Sequence, residues 1–275
     1  MPELPEVDTI KSQLQTILPF KISQIYFSPH STSLIKKTDF DLMEKVIYKI
    51  SRHGKWLLFD LKPLGCIMSY LGMSGTWRLS HSPLNEKHKH IEFIDEHNPH
   101  YKYLSYVDPR RFGHFYILNN LNFNSKMKTL PYDVTSKDFD ENQITELLFM
   151  YPERKIKSYL LDQKAFPGIG NYLASEICAR AGILPIRPAG SLEPVEIFNL
   201  SLAIKTVIHN ALISNGTTFG GGYRDSFGEK GMGVNHLVVF HQKLCQMCYP
   251  KGIATPIIKT IQDGRGTYHC PRCQK

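Results

Sequence analysis

Between about residues 20 and 120 the chain is a succession of short apolar runs with no helical periodicity among them, and nothing else in the sequence restricts the fold so strongly. KISQIYF, KVIYKISR, KWLLFDL, CIMSYLGM, TWRLS, HIEFID, YKYLSYV and FGHFYIL are rich in β-branched and aromatic residues, and Gly, Pro, Asn or Asp clusters bound many of them. Strands that follow one another without intervening helices pair through hairpins and longer returns. An antiparallel β-sandwich or barrel is therefore expected.

Both flanks read as helical. Val7, Ile10, Leu14, Ile17 and Leu18 recur at three- and four-residue steps, which predicts an amphipathic helix over roughly residues 5 to 18. Pro5 suits the first helical position and Glu3 and Glu6 favour the positive end of the helix dipole, so MPELPEV taken alone is a helix start. From about residue 138 the pattern is again helical: ENQITELLFMY, RKIKSYLLD, NYLASEICARAG and a long run through VEIFNLSLAIKTVIHNALIS, closed by Asn215 and Gly216. NFNSKMKTLPYDVTSKD, between the two regions, reads as a polar linker. TTFGGGYRDSFGEKGMG follows the last helix and is too long and irregular for a tight turn, so it is either mobile or functional. The fold class is α+β, with expected segments 1–130 (β-sandwich), 131–150 (linker and start of the helical domain), 151–240 (helical domain with the Gly-rich loop) and 241–275 (cysteine module).

Partner class follows in part from charge. The 275 residues include 33 Lys plus Arg against 25 Asp plus Glu, a formal charge of +8, which suits a polyanionic partner and equally a merely soluble basic protein. MPELPEV is acidic and no apolar region like that of a signal peptide follows it; no stretch reaches membrane-spanning length. The expectation is a soluble cytoplasmic protein with no membrane partner, and a monomer needs no extra assumption.

The strongest local signal is a C-x-x-C pair at Cys245 and Cys248, a spacer of 21 residues, and a second pair at Cys270 and Cys273. Two close thiolate pairs suit one tetrahedral structural zinc ion, and the spacer is long enough for a two-stranded hairpin. A redox role is the poorer reading, since a thioredoxin-like motif wants a βαβ context. Cys66 and Cys178 lie alone in apolar surroundings and read as inert core. Within the spacer, DGRGTYH puts Arg265 at a glycine-flanked tip, either a solvated turn residue or a phosphate contact. FPGIGN joins two helices and leads into Asn171; backbone amides there can bind a phosphate together with Arg154 and Lys157, and a helix hairpin with an Asn cap explains the same residues without DNA. LGMSG and DPRRFG present Met73, Arg110 and Phe112 beside turn residues, as ordinary hairpin turns or as wedges that unstack bases.

Taken in order, PELPEV, GKWLL with Lys55, KHKH, LGMSG, DPRRFG, IKSYLLDQ, GIGNYLASE, GTT and GRGTYHCPRCQ resemble the bacterial formamidopyrimidine-DNA glycosylases nearly end to end. That resemblance implies a bifunctional glycosylase and abasic-site lyase of base excision repair, associated with the nucleoid, acting on double-stranded DNA that carries oxidised purines (8-oxoguanine, formamidopyrimidines) or abasic sites. It implies removal of Met1, Pro2 as the amine nucleophile that forms a Schiff base and supports β- and δ-elimination, and Glu3 as general acid/base with Glu6 as a supporting carboxylate. Lys55 and Arg265 match positions assigned as proton donors or phosphate contacts; His88, Arg110, Lys157 and Asn171 match DNA-binding positions, and Arg154, read above from its place before the helix start, is counted with them as a candidate DNA contact. Met73, Arg110 and Phe112 match a void-filling triad, and residues 217–233 match a loop over the flipped base. The implied architecture is a β-sandwich carrying the catalytic helix, a helix, two-turn, helix domain and a zinc-finger hairpin, with DNA in the cleft between domains, one structural zinc and no organic cofactor.

The chain departs from the family pattern at Tyr70, where many members have His, at LPYD in the linker and in the glycine count of the loop, so the resemblance speaks more to chemistry than to lesion preference. Two alternatives stand beside it. The endonuclease VIII branch prefers oxidised pyrimidines but typically opens PEGPE and lacks this full MSG and RRF set. A non-catalytic damaged-DNA-binding protein would have no need of Pro2, Glu3, Lys55 and Arg265 together.

Overall fold

Trp77 shows why the strand-rich half closes into two layers. Its indole stacks on Phe93 and meets Phe115 edge-on, and its Nε1 donates to Ser69 Oγ at 3.0 Å with both residues fully buried. Strands with one apolar face must bury it against another sheet, and this side chain lies where the two sheets meet. The computed structural model describes residues 1–219 and 222–275. Residues 220 and 221, within the Gly-rich stretch, lie outside the described residues. The chain divides into two compact units, Met1–Leu130 with Ser214–Met232, and Pro131–Ile213 with Gly233–Lys275.

In the first unit α1 (Leu4–Leu14) leads into β1 (Phe20–Lys21), β2 (Gln24–Phe27), α2 (Ser31–Leu34), β3 (Ile35–Thr38), β4 (Val46–His53), β5 (Trp56–Lys62), β6 (Gly65–Tyr70), β7 (Thr76–Ser80), β8 (Lys89–Ile94), β9 (Tyr103–Val107) and β10 (His114–Asn119). The sheets run β1-β4-β5-β6-β10-β3 and β2-β8-β9-β7. Val7, Ile10 and Leu14 of α1 join Phe59, Trp77, Phe93 and Phe115 in one buried cluster, so the helix is fixed to the sandwich along its apolar stripe.

Three details differ from the sequence reading. Leu4, not Pro5, is the first helical residue, and the α-helix ends at Leu14, with Gln15–Ile17 tightening to a 3₁₀ turn. The sandwich is not wholly antiparallel: β3 pairs parallel to β10, because the chain reaches it by a crossover from the other sheet through α2 and not by a hairpin. The expected linker is helical in its first half, α3 (Asn120–Met127), because Asn119 caps it by accepting from Asn122 N, and Phe123 and Met127, four residues apart, share the face that covers Met68 and Leu118.

The second unit holds α4 (Glu141–Met150), α5 (Ile156–Leu160), α6 (Asn171–Ala181), α7 (Pro194–Ile213), β11 (Ile258–Gln262) and β12 (Arg265–His269). Gly182 ends α6 at φ 77, the left-handed cap that glycine adopts without strain. Asp263 and Gly264 turn the β11–β12 hairpin with φ of 50 and 73, as a two-residue turn between twisted strands requires. Glu176 of α6 accepts from the backbone N–H groups of Val238, Val239 and Phe240 at 2.7, 2.9 and 2.8 Å, which anchors the chain as it enters the cysteine module. Residues 214–232 group with the sandwich and not with the helices that precede them, held there by side chains of α1. Among the described residues no helix is long and apolar enough to cross a membrane.

Candidate active site and metal centre

Glu3 and Glu6 are both almost fully buried at the start of α1. The Glu6 carboxylate accepts from Glu3 N at 2.7 Å and from Thr217 N at 2.6 Å, so its two oxygens join the helix start to the base of the Gly-rich stretch. Gly216 makes that approach possible: its φ is +76, and a Cβ there would sit 2.8 Å from Glu6 Oε1. Pro2 is buried beside a pocket of about 400 Å³ whose walls include Met1, Met73, Arg110, Tyr223 and Arg224.

Lys55 occupies the turn between β4 and β5 and is 5% exposed. Arg52 donates through Nη1 to Gly54 O at 2.9 Å and through Nε to Asp8 Oδ1 at 3.2 Å, which ties that turn to α1. Pro2, Glu3, Glu6 and Lys55 are therefore carried by α1 and the turn fastened to it. His88 is half-buried just before β8, its carbonyl accepting from Asp108 N at 3.0 Å.

Asp108, with no exposed surface, organises the two loops that carry Met73, Arg110 and Phe112. Its Oδ1 accepts from Ser74 Oγ at 2.6 Å and Arg110 N at 3.2 Å, and its Oδ2 from Gly113 N at 2.8 Å and the Tyr106 hydroxyl at 3.3 Å. Burial, with the Asp108 charge beside it, pushes the Tyr106 phenol well above its usual range, so it stays a donor. Met73 and Phe112 remain exposed, and the Arg110 guanidinium sits 4.7 Å over the Phe112 ring. Exposed apolar side chains held on a rigid, buried carboxylate are suited to insertion between bases.

In the second unit Lys157 is 1% exposed, and its ammonium donates to Asn171 Oδ1 at 2.8 Å, Thr267 Oγ1 at 2.9 Å and Gly266 O at 3.4 Å. Asn171 is the first residue of α6 and Gly170 its cap, so the expected Asn cap is not what forms: the Asn171 amide donates to Gly266 O at 3.1 Å. The helix start and the hairpin tip beside Arg265, itself exposed, are thus one hydrogen-bonded piece. Arg154 pairs with Asp162 at 2.7 Å and lies 4.5 Å over the Tyr159 ring.

The thiols of Cys245, Cys248, Cys270 and Cys273 lie within 4.8 Å of one another, with Cys245–Cys273, Cys248–Cys270 and Cys248–Cys273 sulfur separations of 3.9, 3.8 and 3.1 Å. Metal–thiolate bonds of about 2.3 Å to a tetrahedral centre place sulfurs about 3.8 Å apart, so the cluster can hold a metal ion. Burial pushes the Cys178 thiol up to about 12 and the Cys66 thiol higher still, which keeps both protonated. No pattern in the sequence marks the roles of Glu176, Asp8 or Arg52; for Asp108 the only local cue is Asp at the first position of a turn.

A model of the formamidopyrimidine-DNA glycosylase N-terminal domain matches residues 1–115, and one of the H2TH domain of the same enzymes matches residues 130–220. The formamidopyrimidine-DNA glycosylase of Syntrophomonas wolfei is 33% identical over 281 residues, and that of Listeria monocytogenes 35% over 290, each alignment covering 100% of both chains. Among solved structures, the MutM (Fpg) protein of Thermus thermophilus superposes with a TM-score of 0.85 at 29% identity, over 99% of this chain and 98% of that one. Wild-type Lactococcus lactis Fpg in complex with DNA containing an oxidised pyrimidine superposes with a TM-score of 0.85 at 31% identity, over 100% of both chains.

Proposed function

The chain belongs to the formamidopyrimidine-DNA glycosylase family and is a DNA glycosylase of base excision repair; from that premise we propose that it excises oxidised purines from duplex DNA through a Schiff base at Pro2 and then cleaves the strand. The observation that carries this reading is the pocket beside Pro2, which also meets Met73 and Arg110. Met1 lines the same pocket, so its removal would open the Pro2 nitrogen to it.

An N-terminal amine titrates near 7.7 to 8.0, far below Lys, and is available unprotonated near neutral pH. Its attack on C1′ expels the base and leaves an iminium, an electron sink that acidifies the C2′ hydrogen. Loss of that proton breaks the 3′ C–O bond by β-elimination, and δ-elimination follows at the 5′ side. Glu3 serves as general acid/base for ring opening and proton transfer, while Glu6 holds the backbone around it. Lys55 and Arg265 act on the phosphates or protons of the elimination steps. Met73, Arg110 and Phe112 fill the space that the everted nucleotide leaves. Exposed Arg265, together with His88, Arg154 and Asn171, meets the backbone, and Lys157 holds Asn171 for that contact. The four cysteine thiolates hold one structural zinc ion, which stiffens the hairpin. Duplex DNA as substrate fits a protein that works at the nucleoid, in the cytoplasm.

The test is borohydride trapping on a duplex with one 8-oxoguanine opposite cytosine. A covalent adduct that maps to Pro2 and is lost in Pro2→Gly supports the reading. Strand cleavage by Pro2→Gly at the wild-type rate would contradict it, and a parallel oxidised-pyrimidine duplex reads out the alternative substrate class.

A further inference from the structure

Gln13 lies seven residues after Glu6, nearly two helical turns along the same face of α1, or about 10 Å along its axis. Glu6 fastens the start of the Gly-rich stretch through Thr217 N. Gln13 fastens its middle: Nε2 donates to Asp225 Oδ2 at 2.6 Å, and Oε1 accepts from Ser226 N at 2.8 Å. Asp225 can only accept and the Ser226 N–H can only donate, so the amide has one workable orientation, and neither a carboxylate nor an ammonium at position 13 could make both bonds.

The segment behind this bond is itself ordered. Asp225 Oδ1 accepts from Phe227 N at 3.0 Å and Glu229 N at 2.8 Å, Ser226 O accepts from Leu79 N at 3.2 Å, and Arg224 O accepts from Thr76 Oγ1 at 3.2 Å. The Tyr223 ring is buried in the same core cluster as Val7 and Ile10. Gly222, Tyr223 and Arg224, just before the Gln13 contact, form a wall of the pocket at Pro2. That wall therefore hangs from the helix that follows directly on Pro2 and Glu3.

We propose that Gln13 is a positioning residue for base recognition: by gripping Asp225 and Ser226 it sets the wall at residues 222–224 against the damaged base. The inference rests on the excision reading above. It separates the two activities of one site, since an abasic sugar presents no base for that wall to hold, whereas an oxidised purine does. A residue that only supports α1 would affect both.

The experiment compares single-turnover excision of 8-oxoguanine with incision of the same duplex carrying a preformed abasic site, in wild type, Gln13→Glu, Asp225→Asn and the double variant. Gln13→Glu sets two carboxylates against each other and Asp225→Asn two amide donors, so each single change is expected to slow excision about tenfold while abasic incision stays within about twofold. The double variant restores donor to acceptor: the amide introduced at position 225 donates to the carboxylate at position 13, which still accepts from Ser226 N. Excision should return to within about threefold of wild type. The proposal is overturned by wild-type excision in the single variants, by equal loss of both activities, or by a double variant no faster than Gln13→Glu. Wild-type excision tests the substrate reading and the ratio between variants tests Gln13, so the two fail separately.

Discussion

The ammonium of Lys157 donates to Oδ1 of Asn171 at 2.8 Å from a site that is 1% exposed. A cation that the sequence marks for phosphate thus spends its hydrogen bonds inside the protein, on the helix start and the hairpin tip. A charge held in that way acts by aligning the neutral acceptors around it, and leaving its partners unsatisfied costs more than the bonds themselves contribute.

Lys157→Met should lower thermal stability by about 3 kcal/mol and weaken DNA binding through the displaced Asn171 and hairpin. The salt dependence separates this from direct contact. The slope of log Kd against log salt should stay at the wild-type value in Lys157→Met, whereas Arg265→Ala should reduce it by about 1. A slope change as large as that of Arg265→Ala would show that Lys157 neutralises a phosphate itself.

Asp108→Ala removes the acceptor shared by Ser74, Arg110 and Gly113. The expected outcome is a loss of about 3 kcal/mol in stability and a fall of more than about tenfold in excision, because Met73, Arg110 and Phe112 lose their common support. Affinity for undamaged duplex should change little. Denaturant melts and single-turnover excision check the two halves.

Gly72→Ala tests whether that pair of loops tolerates any slack. Gly72 has φ +68, and a Cβ would lie 2.4 Å from the Phe112 carbonyl carbon, whereas Gly264 has φ +73 with nothing within 4 Å. Gly264→Ala should therefore show only the backbone strain of about 1 kcal/mol, and Gly72→Ala at least about 2 kcal/mol more. Equal shifts in thermal melts would mean that the loops simply move apart.

Chelation addresses the cysteine cluster. Metal analysis should find one zinc per chain, and Cys248→Ser or exhaustive chelation should abolish binding to duplex DNA while the near-UV signal of Trp77 in the sandwich core persists. Metal-free protein that binds duplex DNA as tightly as the loaded form would remove the reason for placing Arg265 on a metal-stiffened hairpin.

The contrast between local and distant partners explains how much was legible. The strands, α6, α7 and the four-cysteine module carry their signals within a few residues, as alternation, helical period, caps and spacing. β3 was not legible because IKKT lies at a sheet edge and exposes most of its side chains. The helix α3 buries no residue fully and has only the half-buried Phe123 and Met127 to mark its inner face. Lys157 and Thr267 are 110 residues apart and Gln13 and Asp225 are 212 apart, and nothing in their neighbourhoods names the partner. What the sequence showed of the site was which residue types are present; which of them face a substrate and which hold the others is decided by such long-range bonds.

His114 gives the sandwich a pH dependence of known sign. Burial beside Trp56 and Tyr70, and then the positive charge of Lys36, hold its imidazole below the usual value of 6.5. As pH falls through 6.5 the unfolded chain takes up a proton there before the folded chain does, so stability declines from that point until the lower folded value is reached. Well above that pH both states are neutral and the residue contributes no slope. His114→Phe keeps a ring among these aromatics and removes the proton, so its melting temperature should fall less than that of wild type between about pH 7.5 and about pH 5.5. His241 and His269 are held low in the same direction and remain in both proteins, which makes the difference between the two slopes the contribution of His114. Parallel slopes would mean that water reaches the ring freely enough to protonate it in the folded state.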